Sequence, residues 1–195
     1  MTRILSILTM FIVLGGCVNQ EPHQAESSQI KPAKVNFVIG NVTPSFDIKL
    51  SRGSLDDGVF KEDWFSTLQY RMTEDQRYIV GSAEEGAIIA VTSVKATDAG
   101  GNHLGTFTPC NQTLVFQLPR GFESVYVTDI YYDWHNVVMY PVFKNNIHVA
   151  KDYFKSNLGF GIYGLAQATH RNLDADLYRD CETQNVHPLV MTRPF

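Results

Sequence analysis

The chain contains 195 residues, with 16 basic and 20 acidic side chains and a formal net charge of −4 at pH 7. Its basic residues are scattered singly, whereas nucleic-acid binding needs clustered Lys and Arg to neutralise phosphates. The same scatter disfavours attraction to anionic lipid headgroups. The sequence therefore excludes nucleic acid as a partner.

The first residues have the pattern of an export signal. Arg3 precedes an apolar stretch, residues 4–14. This stretch has the size of a signal-peptide hydrophobic region and is far shorter than the roughly 20 apolar residues of a membrane-spanning helix. The small pair Gly15-Gly16 would suit the cleavage site of an ordinary secretory signal, and Cys17 follows this pair directly.

The run Leu14-Gly15-Gly16-Cys17 resembles the lipobox of bacterial lipoproteins. The resemblance implies removal of residues 1–16 as a signal peptide and lipidation of Cys17, with a diacylglyceryl group and an N-linked acyl chain such as palmitate. Several acyl chains give stable membrane anchoring, at about 0.8 kcal/mol per buried methylene. Val18 stands where lipoproteins of the inner membrane typically carry Asp, so the resemblance points to the outer membrane of a bacterial cell envelope.

A polar segment follows the lipidation site. Residues 18–34 include Pro22, Ser27, Ser28 and Pro32 and lack the apolar surface that offsets ordering entropy. We predict that residues 17–34 form the lipidated Cys17 and a flexible tether, with an end-to-end distance of about 20 Å for a random coil. Residues 35–195 then form one domain.

From residue 35 onward the composition is that of strands. Short segments rich in Val, Ile, Thr, Tyr and Phe alternate with Gly, Asn, Asp and Pro, which is typical of antiparallel β-structure. The sequence predicts a mainly-β fold, an antiparallel β-sandwich with one to three short helices. The predicted strands cover residues 35–39, 46–50, 77–80, 87–94, 105–108, 113–118, 125–132 and 137–143. Residues 98–102 and 133–136 predict hairpin turns.

Three segments have the apolar spacing of a helix. The first covers residues 60–72, the second residues 150–157, and the third follows Asn172, a residue type that caps helix N-termini. The apolar residues concerned are Phe60, Trp64, Leu68 and Met72 in the first, Val149, Tyr153 and Phe154 in the second, and Leu173, Leu177 and Cys181 in the third.

Two cysteines remain if Cys17 carries lipid. Cys110 and Cys181 would then reach an oxidising compartment, and we predict a disulfide between them. The bridge would contribute about 4 kcal/mol by restricting the unfolded chain. Two separate buried thiols are the alternative.

A second resemblance covers about a quarter of the chain. Residues 101–109 have the order G-x-x-x-G, residues 114–121 contain a strand followed by Leu118-Pro119-Arg120-Gly121, and residues 125–127 read V-Y-V. This order is similar to that of PEGA-type surface modules and of several uncharacterised lipoprotein families, and it implies a small β-sandwich. Pro119 and Gly121 also predict a turn on physical grounds, because Pro fixes φ and Gly permits reversal.

The sequence contains no motif for catalysis or for cofactor binding. Asp133 and His135 offer a carboxylate and an imidazole, but they stand in a predicted hairpin turn where Asp and Asn are common. The histidines His103, His135, His148, His170 and His187 lack metal-site spacing. We expect no catalytic residues, no cofactor and no metal ion.

Three functions fit these features. The first is a lipid-anchored, non-enzymatic binding or structural module that contacts a protein or glycan through loops or aromatic side chains. The second is an inhibitor or immunity lipoprotein whose acidic loops Asp56-Asp57 and Glu84-Glu85 contact a basic hydrolase. The third is a hydrolase that uses Asp133 and His135. The aromatic candidates for the first function are Tyr126, Tyr131, Tyr132, Trp134 and Tyr140.

Overall fold

A computed structural model of the chain describes residues 33–41, 46–97, 102–109, 112–135 and 138–176, all within the compact unit Pro32–Phe195. Strands dominate these residues. The strands are β1 (Lys34–Asn41), β2 (Phe46–Asp56), β3 (Val59–Glu62), β4 (Gln69–Met72), β5 (Tyr78–Glu84), β6 (Ile88–Thr97), β7 (His103–Phe107), β8 (Gln112–Gln117), β9 (Ser124–His135), β10 (Val138–Lys144), β11 (Ala166–Gln167) and β12 (His170–Asp176). Helix α1 covers Ile147–Ser156, and a 3₁₀ turn covers Leu158–Phe160.

The prediction of a mainly-β fold is confirmed. All eight predicted strands are present, although β2 and β9 run several residues further than expected. Each hairpin prediction is supported by the antiparallel pairs that flank it, β6 with β7 and β9 with β10. The turn residues themselves, 98–101 and 136–137, lie outside the described residues.

The first sheet has the strand order β10-β9-β1-β5-β4, with β11 beside the first part of β9. Its pairs are antiparallel except for β1–β9 and β9–β11, which are parallel. A register shift in β1, between Val38 and Gly40, places Gly40 opposite Asp129. In the described residues, β4 forms one edge of this sheet.

The second sheet closes on itself. Strands β2, β3, β12, β8 and β6 pair in that order, β6 pairs back to β2, and β7 continues from β6. The result is a small barrel, so the predicted sandwich arrangement is not confirmed. Strand β12 completes the ring by pairing with both β3 and β8.

Two of the three helix predictions are wrong in the described residues. Phe60 is a buried residue of β3, Trp64 lies in a connecting loop, and Met72 is the last residue of β4. Their four-residue spacing therefore spans two short strands. Residues 172–176 belong to β12, because pairing with β8 and β3 offers their backbone more partners than an isolated helical turn. The second prediction, for residues 150–157, is confirmed by α1.

The main core lies between the two sheets. Fully buried Phe37 of the first sheet meets Phe116 of the second edge to face, with ring centroids 5.5 Å apart. Gly81 makes this packing possible, since a Cβ there would overlap the Phe37 ring. The predicted inward face of β8 is also confirmed: Leu114, Phe116 and Leu118 are all buried in this cluster.

A smaller core covers the outer face of the first sheet. Phe154 of α1 packs beside Tyr78, with ring centroids 5.2 Å apart, and also meets Phe160 at 5.8 Å. Val38 and Val80 supply the sheet side of this cluster. Helix α1 and the 3₁₀ turn therefore cover only part of the outer face.

Candidate functional site

A buried carboxylate joins α1 to the first sheet. Asp129 is 5% exposed, and its two oxygens accept hydrogen bonds from the Tyr126 hydroxyl at 2.6 Å and the Asn146 side-chain amide at 2.6 Å. The Tyr126 hydroxyl also accepts from the Asn146 backbone amide at 3.1 Å. Gly40 leaves the space for this carboxylate, because a Cβ there would overlap it.

Asp129, Tyr126 and Asn146 form a hydrogen-bonded group, called here the Asp129 cluster, whose role is structural. Burial, together with the hydrogen bond to Asp129, holds the pKa of the Tyr126 hydroxyl far above its usual value. Burial and the nearby Asp129 charge raise the pKa of Tyr78 to about 12. Both phenols therefore stay protonated to well above neutral pH. The Tyr126 hydroxyl acts as a fixed hydrogen-bond group between Asp129 and Asn146.

A cleft of about 260 Å³ lies on the outer face of the first sheet, beside the 3₁₀ turn. Phe160 forms one wall, and the Arg71 guanidinium lies over its ring, 5.0 Å from the centroid. The side chains and backbone that line the cleft belong to Asn36, Gln69, Tyr70, Arg71, Val80, Gly81, Ser82 and Phe160.

Strand alternation explains how β4 presents polar groups to this cleft. Gln69 and Arg71 are exposed, whereas Tyr70 and Met72 point the other way and pack against the main core. The Tyr70 hydroxyl is held in place, since it accepts a hydrogen bond from the Leu50 amide at 3.2 Å. That amide adjoins a register shift in the pairing of β2 with β6. Strand β4, which carries Arg71, is thus paired with β5 in the first sheet and hydrogen-bonded to β2 in the second.

A further polar group lies beside the cleft in the sheet. Ser124 pairs with Asn36 in the β1–β9 register and is 1% exposed. Its hydroxyl oxygen has no hydrogen-bond partner within the described part of the chain. Buried hydroxyls are normally satisfied by protein or by water. Ser124 therefore gives this part of the sheet an unused hydrogen-bonding group.

The cleft is suited to binding. It offers two carboxamides, the Ser82 hydroxyl, one guanidinium and the Phe160 ring, while its lining contains no carboxylate, imidazole or thiol. Among the described residues, no three His, Cys, Asp or Glu side chains come together as candidate metal ligands.

The site residues predicted from the sequence fall elsewhere. Cys17, Cys110 and Cys181 lie outside the described residues, so the lipidation and the disulfide remain predictions. Asp133 and His135 are strand residues of β9, paired with Tyr140 and Val138 of β10, and do not lie in the hairpin turn as expected. Their side chains lie outside the described part of the chain.

The aromatic residues of β9 do not form an open patch where they are described. Tyr126 is fully buried, and Tyr132 packs on Phe46 with ring centroids 5.0 Å apart. The Lys144 ammonium lies over the Tyr131 ring, 4.4 Å from its centroid. The side chains of the remaining two candidates lie outside the described residues.

The two acidic loops are partly neutralised. Asp56 pairs with Lys61 at 2.5 Å, and Glu84 pairs with Arg52 at 2.7 Å. The pKa of Glu84 lies below its usual value, because its own backbone amide donates to the carboxylate and because the Arg52 charge is close. These pairings weaken the case for an acidic inhibitor surface.

Sequence reasoning missed the cleft because its parts are distant in the chain. Arg71 and Phe160 are separated by more than eighty residues and meet only through folding. Phe160 is followed by a bend in which Gly161 and Gly164 both have positive φ. No spacing rule connects that bend with β4.

Comparisons with known proteins identify no relative. Neither the family models nor the curated proteins nor the solved structures match this chain. Within the described ranges, no helix combines the length and the apolar character needed to cross a membrane.

Proposed function

We propose that the protein is a lipid-anchored β-sandwich module of the bacterial cell envelope, which binds a glycan partner without catalysing a reaction. The lipobox-like run ending at Cys17 supports the anchor and an outer-membrane location. A single core shared by both sheets supports the sandwich description. The cleft beside Phe160 supports binding.

The composition of the cleft carries the choice of a glycan. Sugars present hydroxyl and acetamido groups at their edges and apolar C–H surfaces on their faces. The carboxamides of Asn36 and Gln69 and the guanidinium of Arg71 match the edges, and the Phe160 ring matches a face. About 260 Å³ accommodates one or two sugar rings rather than a large cofactor.

Titration calorimetry with oligosaccharides of N-acetylglucosamine tests this site. Arg71→Ala and Phe160→Ala are each expected to weaken binding by about tenfold or more, because each removes a principal cleft contact. Lys151→Ala is the matched control, since Lys151 is exposed on α1 and lies outside the cleft lining. Equal affinity in all variants would reject the cleft as the site.

The anchor is tested separately from the ligand. Cells labelled with a fatty-acid probe are expected to yield a labelled protein, and Cys17→Ser is expected to lose the label. Mass analysis of the mature N-terminus is expected to find Cys17 as the first residue. A mature chain that begins elsewhere contradicts the lipoprotein assignment.

A further inference from the structure

One end of the domain exposes aromatic side chains. Phe65 is 99% exposed, Trp64 is 63% exposed and Phe122 is 47% exposed. Trp64 and Phe65 lie in the loop between β3 and β4, and Phe122 lies in the turn between β8 and β9. We call these three side chains the aromatic end. Aromatic side chains are enriched in interaction surfaces relative to the rest of a protein surface.

The Trp64–Phe65 loop is linked to the start of β1. The Asp63 carboxylate accepts a hydrogen bond from the Phe65 amide at 3.1 Å, and the Asp63 amide donates to the Arg52 carbonyl at 2.8 Å. The Arg52 guanidinium pairs with Glu84 at 2.7 Å, and Glu84 is the register partner of Lys34. This loop is therefore held at the end of the sheet where β1 begins.

Phe122 is linked to the same place through the next turn. The Gly121 amide donates to the Glu85 carboxylate at 2.8 Å, and the Glu85 amide donates to the Ala33 carbonyl at 2.9 Å. The Asn36 amide also donates to the Glu123 carbonyl at 2.9 Å. Both aromatic loops are thus linked to the neighbouring residues Glu84 and Glu85, beside Ala33 at the start of β1.

The predicted tether enters the domain at this end. Between Cys17 and Ala33 the chain can reach at most about 55 Å when extended, and about 20 Å as a random coil. An anchor on Cys17 therefore keeps Ala33, and the loops bonded around it, close to the bilayer surface. Trp is enriched at that interface, because its ring contacts apolar chains while its N–H reaches the headgroups. Phe inserts its apolar ring at the boundary between headgroups and acyl chains.

We infer that the aromatic end is a second membrane contact, which docks Trp64, Phe65 and Phe122 into the lipid interface and orients the domain. The inference rests on the lipid anchor of the proposed function. A tethered domain would otherwise rotate freely about its anchor.

Charge at the aromatic end has both signs. Lys34 and Arg120 are exposed there, and so are Asp63 and Glu123. No excess of positive charge is available to select anionic lipid. Docking is therefore expected in phosphatidylcholine vesicles, and added phosphatidylglycerol is not expected to strengthen it.

Tryptophan fluorescence tests the inference in the complete lipidated protein. The chain has two tryptophans, so Trp134→Phe leaves Trp64 as the single reporter. After reconstitution into phosphatidylcholine vesicles, brominated acyl chains are expected to quench Trp64 emission by about half, since interfacial rings lie at the level of the upper chains. The difference between the native chain and Trp64→Phe gives the same information if Trp134→Phe does not fold.

A tryptophan at the opposite end serves as the matched control. Val149 is 46% exposed on α1, and the Tyr153 hydroxyl of the same helix donates to Asp75 in the turn where β5 begins. Val149→Trp, combined with Trp64→Phe and Trp134→Phe, is expected to show no quenching by brominated lipid. Equal quenching at both ends would mean that the domain lies on the membrane without a preferred orientation, which overturns the inference.

Flotation of the vesicles tests the lipid anchor separately from the aromatic contact. Protein that floats with the vesicles while Trp64 emission is unchanged by brominated lipid retains the anchor and refutes the aromatic contact. Protein that does not float refutes the anchor and the inference together. Flotation combined with selective quenching of Trp64 supports both.

Discussion

Removing one buried hydroxyl is expected to destabilise the domain strongly. Tyr126→Phe deletes the group that donates to the Asp129 carboxylate at 2.6 Å and accepts from the Asn146 amide at 3.1 Å. Tyr126 is fully buried, so water cannot replace the lost partner without entering the core. The variant keeps the ring and therefore tests the hydrogen bonds alone.

The magnitude follows from the two partners left behind. A hydrogen bond to a charged group contributes about 1.5–3 kcal/mol, and an unsatisfied buried donor costs about 1–3 kcal/mol. The Asn146 side chain still donates to Asp129, so the carboxylate keeps one of its two partners. We expect a loss of about 3 kcal/mol in the free energy of unfolding.

Urea unfolding followed by circular dichroism measures this loss. With a slope of about 2 kcal/mol per molar urea, the midpoint is expected to fall by about 1.5 M. Tyr153→Phe is the matched control, because its hydroxyl also donates to a carboxylate, that of Asp75, at 3.0 Å. That bond is exposed, so its removal is expected to cost less than about 1 kcal/mol.

Equal midpoint shifts for the two variants would refute the reasoning. They would show that burial of the Asp129 cluster adds nothing to the strength of its hydrogen bonds. A loss below about 1 kcal/mol for Tyr126→Phe would have the same meaning, since the two bonds differ mainly in exposure.

Three further measurements test the core and the cysteines. Gly81→Ala is expected to cost about 3 kcal/mol in urea unfolding, because its Cβ would overlap a core ring, whereas Gly159→Ala has open space and is expected to be neutral. The pKa of Tyr78 rises from 10.0 to about 12 on folding, so its contribution to stability is complete below pH 10 and is lost as pH rises toward 12. Tyr78→Phe should make that alkaline loss less steep, and an unchanged pH profile contradicts the assignment. Mass mapping without reductant is expected to find Cys110 joined to Cys181, and two free thiols would disprove the bridge.

Local pattern was sufficient for most of the first sheet and for α1. Segments such as 125–132 combine β-branched and aromatic residues over a length that favours strands, and their pairing partners lie in the same compact unit. The residues of 60–72 were misassigned because apolar spacing alone cannot distinguish one helix face from two strands with a loop between them. Burial of Phe60 in the barrel stabilises a strand at residues 59–62 instead of a helix.

The candidate binding surfaces were less accessible to sequence reasoning. Trp64 and Phe65 were counted toward a helix, whereas an Asp63 turn holds them outward at the end where β1 begins. The cleft needs Arg71 beside Phe160, and their side chains meet through the stacking of the 3₁₀ turn on the sheet. Such long-range juxtapositions have no periodic signature.

The sequence by itself determined the mainly-β character and the inward face of β8, because both depend on residues that are close in the chain. The lipobox-like run that ends at Cys17 is equally local and stays a prediction. Tertiary structure alone decided the closure of the second sheet through β12, the buried Asp129 cluster, the cleft and the position of the aromatic end. The physical reason is the same in each case. Strand pairing and side-chain packing bring together residues from distant parts of the chain, and the free energy of those contacts exceeds local preference.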